Sequence, residues 1–284
     1  MKDLLKLYSF ESVHNSDDET AIADWICKWL DEHGVKDYTR DVNTIYRFSS
    51  GTDGIVLSAH LDQVKTNGKA VHFYMTPDDY IIAYNKNWER TSLGADDKNG
   101  VWLILKAIEA GLDTSFIISE GEEAGLIGIN QLSYQGVLAD KLDPEVNCCI
   151  VLDRKGDGDV LYQGGGTTFC NTLADNLINF LRDPLLVRTT GSVSDTCEIS
   201  QFCESVNMSV AYFNPHTANE YTDWARLEEI KNNVLDILNN FVHYPCLPDT
   251  YSRKSYYQTA QKNKTIYDKE YWRDNQGRYY DDWY

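Results

Sequence analysis

Five short segments carry acid and imidazole side chains in a fixed order along the chain. They are Ala-His60-Leu-Asp62, Gly-Ala-Asp96-Asp97-Lys, Gly-Glu122-Glu123-Ala-Gly, Val-Leu-Asp153-Arg and Asn-Pro-His216-Thr. Two His and three carboxylates gathered in one place would hold two divalent metals, and one further Glu would remain as a base. That is the donor set of a co-catalytic metallohydrolase. Such a centre needs one carboxylate shared by both ions. Asp96 can bridge, His60 and Asp153 can complete one ion, and Glu123 and His216 the other. Glu122 is then the group that takes a proton from the attacking water and delivers it to the leaving amine. Asp62, two residues past His60, suits a hydrogen bond to the imidazole that fixes its tautomer.

Taken singly, these fragments are weak signals. A His-x-Asp is common, and an Asp-Asp or Glu-Glu is usually a solvated pair. The weight lies in the ordered combination. Other hydrolytic arrangements lack support: there is no His-Glu-x-x-His and no Gly-x-Ser-x-Gly. Gln163-Gly-Gly-Gly-Thr has neither the P-loop lysine nor the dinucleotide spacing, and reads as a turn near the site.

The elements that must position these residues follow from periodicity. Residues 19–33 place Ile22, Trp25, Ile26, Trp29 and Leu30 at helical spacing, with Gly34 as a stop. Helices are also expected over 98–110, 170–181 and 224–241. Ile55-Val-Leu-Ser-Ala predicts a buried strand ending at His60, and Ser115-Phe-Ile-Ile-Ser one ending before the Glu pair. Asn147-Cys-Cys-Ile-Val-Leu ends at Asp153, Tyr80-Ile-Ile-Ala-Tyr is a further strand, and Val206 to Tyr212 leads toward His216. Apolar strands alternating with helices predict an α/β domain with a mostly parallel sheet. Ligands in such sheets bind beyond the carboxyl ends of the strands, where four of the five segments fall.

The chain has 284 residues, room for one large domain, expected over 1–245. Residues 246–284 change character: from 249 on there are eight Tyr and two Trp, and a hairpin is expected around Asp-Asn-Gln-Gly. The formal charge of -18, from 44 acids and 26 bases, argues against nucleic acid or an anionic membrane as partner. Seven cysteines lack any C-x-x-C spacing, and the opening Met-Lys-Asp-Leu-Leu-Lys is not a signal peptide or a span. Reduced thiols in the cytoplasm are the expectation.

Leu93-Gly-Ala-Asp96-Asp97-Lys98-Asn-Gly100 resembles the loop of peptidase T-type tripeptidases. Gly121-Glu122-Glu123-Ala-Gly125-Leu126-Ile-Gly128 resembles an element of the zinc-dependent exopeptidase superfamily whose first Glu is the base and second a ligand. Thr190-Gly-Ser-Val-Ser194-Asp195, followed by a strand and Asn214-Pro-His216-Thr, resembles the closing part of the aminopeptidases. The likeness spans about residues 1–243. It implies a three-layer αβα fold with a mixed, mostly parallel central sheet. It also implies a cis Asp96–Asp97 peptide bond. The family's lid insertions are missing: 36 positions separate His60 from Asp96 and 63 separate Asp153 from His216. A bare, single-domain catalytic unit is therefore expected.

The leading expectation is a metal-dependent aminopeptidase acting on small peptides or aminoacyl substrates. Its ions would be zinc, with cobalt or manganese as substitutes. Glu120, Asp195 and Glu220 are candidates for capturing the substrate amine. The alternatives are an N-acyl amino acid deacylase, a dipeptidase or carboxypeptidase, and an inactive peptidase-like binding module. Self-association through the Tyr-rich tail is a further expectation.

Overall fold

The computed structural model describes residues 1–49, 54–143, 145 and 147–244. The Tyr-rich tail and its expected hairpin lie outside the described residues, as does any contact it makes. The chain begins with α1 (Lys2–Tyr8), α2 (Asp17–Glu32), β1 (Thr39–Asp41), β2 (Thr44–Arg47), β3 (Ile55–His60), β4 (His72–Met75), β5 (Tyr80–Tyr84) and β6 (Arg90–Thr91). It continues through α3 (Ala95–Glu109), β7 (Ser115–Ser119), α4 (Ile127–Tyr134), α5 (Val137–Lys141), β8 (Cys148–Arg154), β9 (Asp159–Gly164), β10 (Thr167–Thr168) and α6 (Asn171–Leu181). Last come β11 (Val187–Gly191), α7 (Asp195–Ile199), β12 (Glu204–Ser209), β13 (Tyr212–Phe213), β14 (Tyr221–Asp223) and α8 (Trp224–Asn240).

The main sheet runs β1-β2-β7-β3-β8-β12-β9-β10, with β11 beside β9. Its four central strands, β7, β3, β8 and β12, are mutually parallel. The flanks are antiparallel where β2 meets β7 and where β9 meets β12. Alternation along the central strands explains the layering. Leu57 and Ala59, Phe116 and Ile118, and Ile150 and Leu152 pack into the larger core, beneath α1, α2, α3 and α8. Their neighbours Val56, Ile117, Cys149 and Val151 point the other way, into a second core shared with α4, α5 and α7. Successive side chains of a strand face opposite sides, so an unbroken apolar run requires cover on both faces. The expected αβα sandwich with a mixed sheet is what forms.

Local starts and stops are decided by caps. Ser16 accepts from Glu19 N at 3.1 Å, so α2 begins at Asp17, two residues before the expected start at Glu19. Asp223 caps α8 by accepting from Arg226 N at 2.9 Å. The expected strand from Val206 to Tyr212 divides: β12 ends at Ser209, and Ala211, at φ 60°, turns the chain into β13 of a different sheet. That second sheet, β13-β14-β5-β4 with β6 beside β5, takes up the expected strand Tyr80–Tyr84. Among the described residues no helix is long and apolar enough to cross a membrane.

Candidate metal centre and active site

His60 ends β3, Asp153 lies one residue from the end of β8, and the Glu pair follows β7. These three strands are adjacent and parallel, so their carboxyl ends converge. Asp96 enters from the start of α3, where Asp96 and Asp97 depart from helical geometry and the bond between them is cis. The regular helix begins only after the pair. His216 arrives on the loop between β13 and β14, held at φ 62°. A non-glycine residue in that left-handed region costs roughly 1–2 kcal/mol, the kind of strain that gathers at functional sites.

The bridging expectation has a direct geometric counterpart. Asp96 Oδ1 lies 3.4 Å from His60 Nε2, and its Oδ2 lies 3.1 Å from His216 Nε2. The two oxygens of one carboxylate thus face two different imidazoles. His60 Nε2 is also 3.4 Å from Asp153 Oδ1, and His216 Nε2 is 2.5 Å from Glu123 Oε1. Glu122 Oε2 stands 3.9 Å from His60 Nε2. Ligand atoms of His60, Asp96 and Asp153 all fall within 4.8 Å of one another, as do those of Asp96, Glu123 and His216. Glu123 Oε1 is shielded from solvent, with the His216 imidazole against it. Carboxylate oxygens and imidazole nitrogens that converge in this way fit a pair of divalent cations.

The electrostatics have the same origin. Burial, with the neighbouring Asp153 and Asp195, pushes Glu122 up to about 9 against the pull of His60. Burial likewise raises Asp153 to about 7. Asp96 goes the other way: burial opposes ionisation, yet the bonds to His216 and His60 outweigh it and hold the carboxyl low. The Asp96 and Glu123 carboxylates raise His216 to about 10. So many carboxylates in one pocket demand positive charge, which protons or bound cations can supply.

Around this centre lies a set of orienting contacts. His60 Nδ1 sits 3.1 Å from the Asp62 main-chain oxygen and 3.4 Å from its Oδ1. The stronger bonds of the Asp62 carboxylate are different from the expected one: Oδ1 accepts from Glu122 N at 2.9 Å and Oδ2 from Glu123 N at 3.1 Å. Asp62 therefore holds the Glu pair in place as well as touching the imidazole. Asp97, unassigned in the sequence reading, accepts from His60 N at 3.2 Å and from Gly100 N at 3.0 Å. A Cβ on Gly100 would lie 2.6 Å from each Asp97 oxygen and would strike Leu152 O, so only glycine fits there. Lys98 is fully buried and donates to Phe10 O at 2.7 Å and to Gln63 Oε1.

The three residues expected to capture an amine sit elsewhere. Glu120 is buried against Arg40, with which it forms an ion pair. Glu220 is completely buried; it accepts from Ser92 Oγ at 2.6 Å, Ala95 N at 3.2 Å and Asp96 N at 3.3 Å. It fastens the Asp96 loop and does not face the cleft. Asp195 is buried behind the cleft wall, where it accepts from Ser119 Oγ. Exposure was the missing information: nothing in the local sequence says that these acids turn inward.

The cleft itself, of about 260 Å³, is bounded by the residues of the centre together with Arg154, Lys155, Ser192 and Tyr212. The Tyr212 hydroxyl donates to Asp153 O at 3.2 Å. The sequence reading passed over Arg154 and Lys155, although their places directly after Asp153 were the available signal.

No protein-family model and no curated sequence matches the chain. Solved structures do. A tripeptidase from Staphylococcus aureus superposes with a TM-score of 0.66 at 16% identity, spanning 85% of this chain and 97% of its own. Aminopeptidase PepT from Bacillus cereus gives 0.65 at 15% identity, spanning 85% and 98%. A glutaminyl cyclase from Bacteroides thetaiotaomicron, bound to N-acetylhistamine, gives 0.57 at 16% identity, spanning 84% and 94%. Identities this low speak to architecture, and the cyclase shows that the architecture carries more than one reaction. The chain has the fold of these tripeptidase and aminopeptidase structures.

Proposed function

We propose that the chain is a metal-dependent peptide hydrolase, an aminopeptidase of small peptides located in the cytoplasm. The observation that carries this reading is Asp96, whose two oxygens each face a different histidine. His60 and Asp153 would hold one divalent ion, Glu123 and His216 the other, and Asp96 both. Oxygen and imidazole donors without a thiolate suit zinc, with cobalt or manganese as substitutes. Bound there, two such ions would lower the pKa of the attacking water and polarise the scissile carbonyl.

The chain's own residues do the rest. Glu122 stands beside His60 and has its main-chain N–H fixed by Asp62, so its carboxyl can take a proton from water and return it to the leaving amine. Asp97 and Glu220 fix the main chain at His60 and at Asp96, so the donor atoms need not reorganise during turnover. A cleft of about 260 Å³ falls just short of the roughly 300–1,000 Å³ usual for ligand pockets, which suits one or two residues of a peptide.

A second reading, an N-acyl amino acid deacylase or a carboxypeptidase, draws support from the two cations in the cleft, Arg154 and Lys155. One screen separates the readings. The protein, loaded in turn with zinc, cobalt and manganese, is offered aminoacyl amides, dipeptides and N-acetyl amino acids. Hydrolysis of the substrates with a free amine is expected. Turnover of the N-acetyl compounds alone would favour the second reading. Full metal loading without hydrolysis of any substrate would leave a binding module.

A further inference from the structure

We infer that Ser12 is a positioning residue for Glu122: it clamps the peptide units on either side of Asp62, and Asp62 in turn holds the Glu pair. This rests on the peptide-hydrolase reading, in which Glu122 moves the proton. It gives a task to a segment that the sequence reading passed over.

Residues 9–16 connect α1 to α2, and such connections normally run over the surface. Here Phe10 and Ser12 are buried, Ser12 completely. The segment touches three of the turns that carry the centre. Phe10 O accepts from Lys98 Nζ at 2.7 Å, directly after the Asp96–Asp97 pair. The His14 ring lies against Gly121, the residue before Glu122. A Cβ on that glycine would come within 2.8 Å of His14 Cε1, and His14 Nδ1 is paired with Glu19 Oε1 at 3.1 Å. Between these two contacts, Ser12 meets the turn that follows His60.

Ser12 bonds to that turn twice. Its Oγ donates to Leu61 O at 2.6 Å, and its main-chain oxygen accepts from Gln63 N at 2.9 Å. The need for both bonds comes from where the sheet stops. β3 pairs with β7 as far as Leu61 N, which donates to Ser119 O at 3.0 Å. Leu61 O and Gln63 N lie past that ladder in buried residues, and buried main-chain groups require partners. Ser12 supplies one to each. Asp62 stands between them, fully buried, and its carboxylate accepts from Glu122 N at 2.9 Å and Glu123 N at 3.1 Å. A displaced Asp62 therefore takes the Glu pair with it. Proton transfer is sensitive to such a shift: a misplacement of about 1 Å can cost about 10²-fold in rate.

Ser12→Ala removes the hydroxyl and leaves Leu61 O without its donor. kcat and KM for an alanyl amide are measured on the zinc-saturated full chain, for the wild type, Ser12→Ala, Asp62→Asn, the double variant and Ile26→Val. Ile26→Val trims a buried side chain of α2 and weakens the fold by a similar amount through the core alone. Ser12→Ala should lose about tenfold in kcat with KM within about twofold, while Ile26→Val keeps the wild-type rate. The double variant should be no slower than Asp62→Asn, because the two groups act in series. In the metal-free chain, the amide resonances of Glu122 and Glu123 should move in Ser12→Ala and stay in place in Ile26→Val. Should Ser12→Ala not fold, Ser12→Cys, with its weaker donor, takes its place under the same criteria. An unchanged kcat, an equal loss in Ile26→Val, or losses that multiply in the double variant overturn the role of Ser12 while leaving the hydrolase reading intact. If even the wild type hydrolyses nothing, that reading fails and the resonances decide: shifts at Glu122 and Glu123 support the clamp, and unmoved resonances overturn it.

Discussion

Replacing Glu220 by Ala separates a positioning group from a substrate contact. Its carboxylate is wholly buried and accepts from Ser92 Oγ, Ala95 N and Asp96 N at 2.6, 3.2 and 3.3 Å. Ser92 Oγ in turn accepts from Gly94 N at 2.8 Å, so its hydroxyl is held on both sides. Alanine leaves two main-chain donors and a hydroxyl without an acceptor. The hydroxyl can rotate; the two N–H groups cannot. A buried donor left unpaired costs about 1–3 kcal/mol, which puts the loss at about 2–6 kcal/mol. Burial raises the pKa of Glu220, so removing the carboxylate also relieves a desolvation penalty. The expected value is therefore the lower half of that range, about 2–4 kcal/mol. Urea unfolding of the chelator-treated chain measures it. Competition with a zinc chelator should show weaker metal binding by about 10–100-fold, the usual consequence of losing an outer partner of a ligand. A change below about 1 kcal/mol with undiminished zinc uptake, alongside a raised KM, would show that Glu220 contacts substrate after all.

Four further outcomes follow from the same geometry. Glu122→Gln should bind metal and fold normally yet lose about 10²–10⁴-fold in turnover, and near-normal rates in the loaded variant would remove Glu122 from the mechanism. Asp62→Asn keeps one acceptor for two main-chain donors, so metal affinity should fall by about 10–100-fold in the same zinc competition. Gly100→Ala forces a methyl against Leu152 O and the Asp97 carboxylate, and urea melts should register a loss of about 1–3 kcal/mol or more. Chelation should abolish activity while far-UV circular dichroism persists at room temperature, because the two apolar cores are complete without a metal; collapse of that signal would contradict it.

The sequence by itself determined the parts that depend on neighbours in the chain. Apolar runs end at His60, before Glu122 and at Asp153, and the strands β3, β7 and β8 end at His60, Ser119 and Arg154. The spacing of Ile22, Ile26, Trp29 and Leu30 made α2 visible, because a helix repeats its buried face every three or four residues. Once those strands are parallel neighbours, the ligands must meet at one end of the sheet. Other features were illegible for a physical reason. The seven-residue α1 is too short for its period to stand out, although Leu4, Leu7 and Tyr8 are buried. Tyr80–Tyr84 reads as a strand in any sheet, and only its pairing with β4 and β14 assigns it to the second one. Asp62 lies next to His60 in sequence, but its main partners are N–H groups sixty residues away. Glu120, Asp195 and Glu220 look like any other acids until the fold buries them. Burial and hydrogen-bond partnership are set by distant segments, so which carboxylates face the cleft, and that Lys155 joins them there, was decided by the tertiary structure alone.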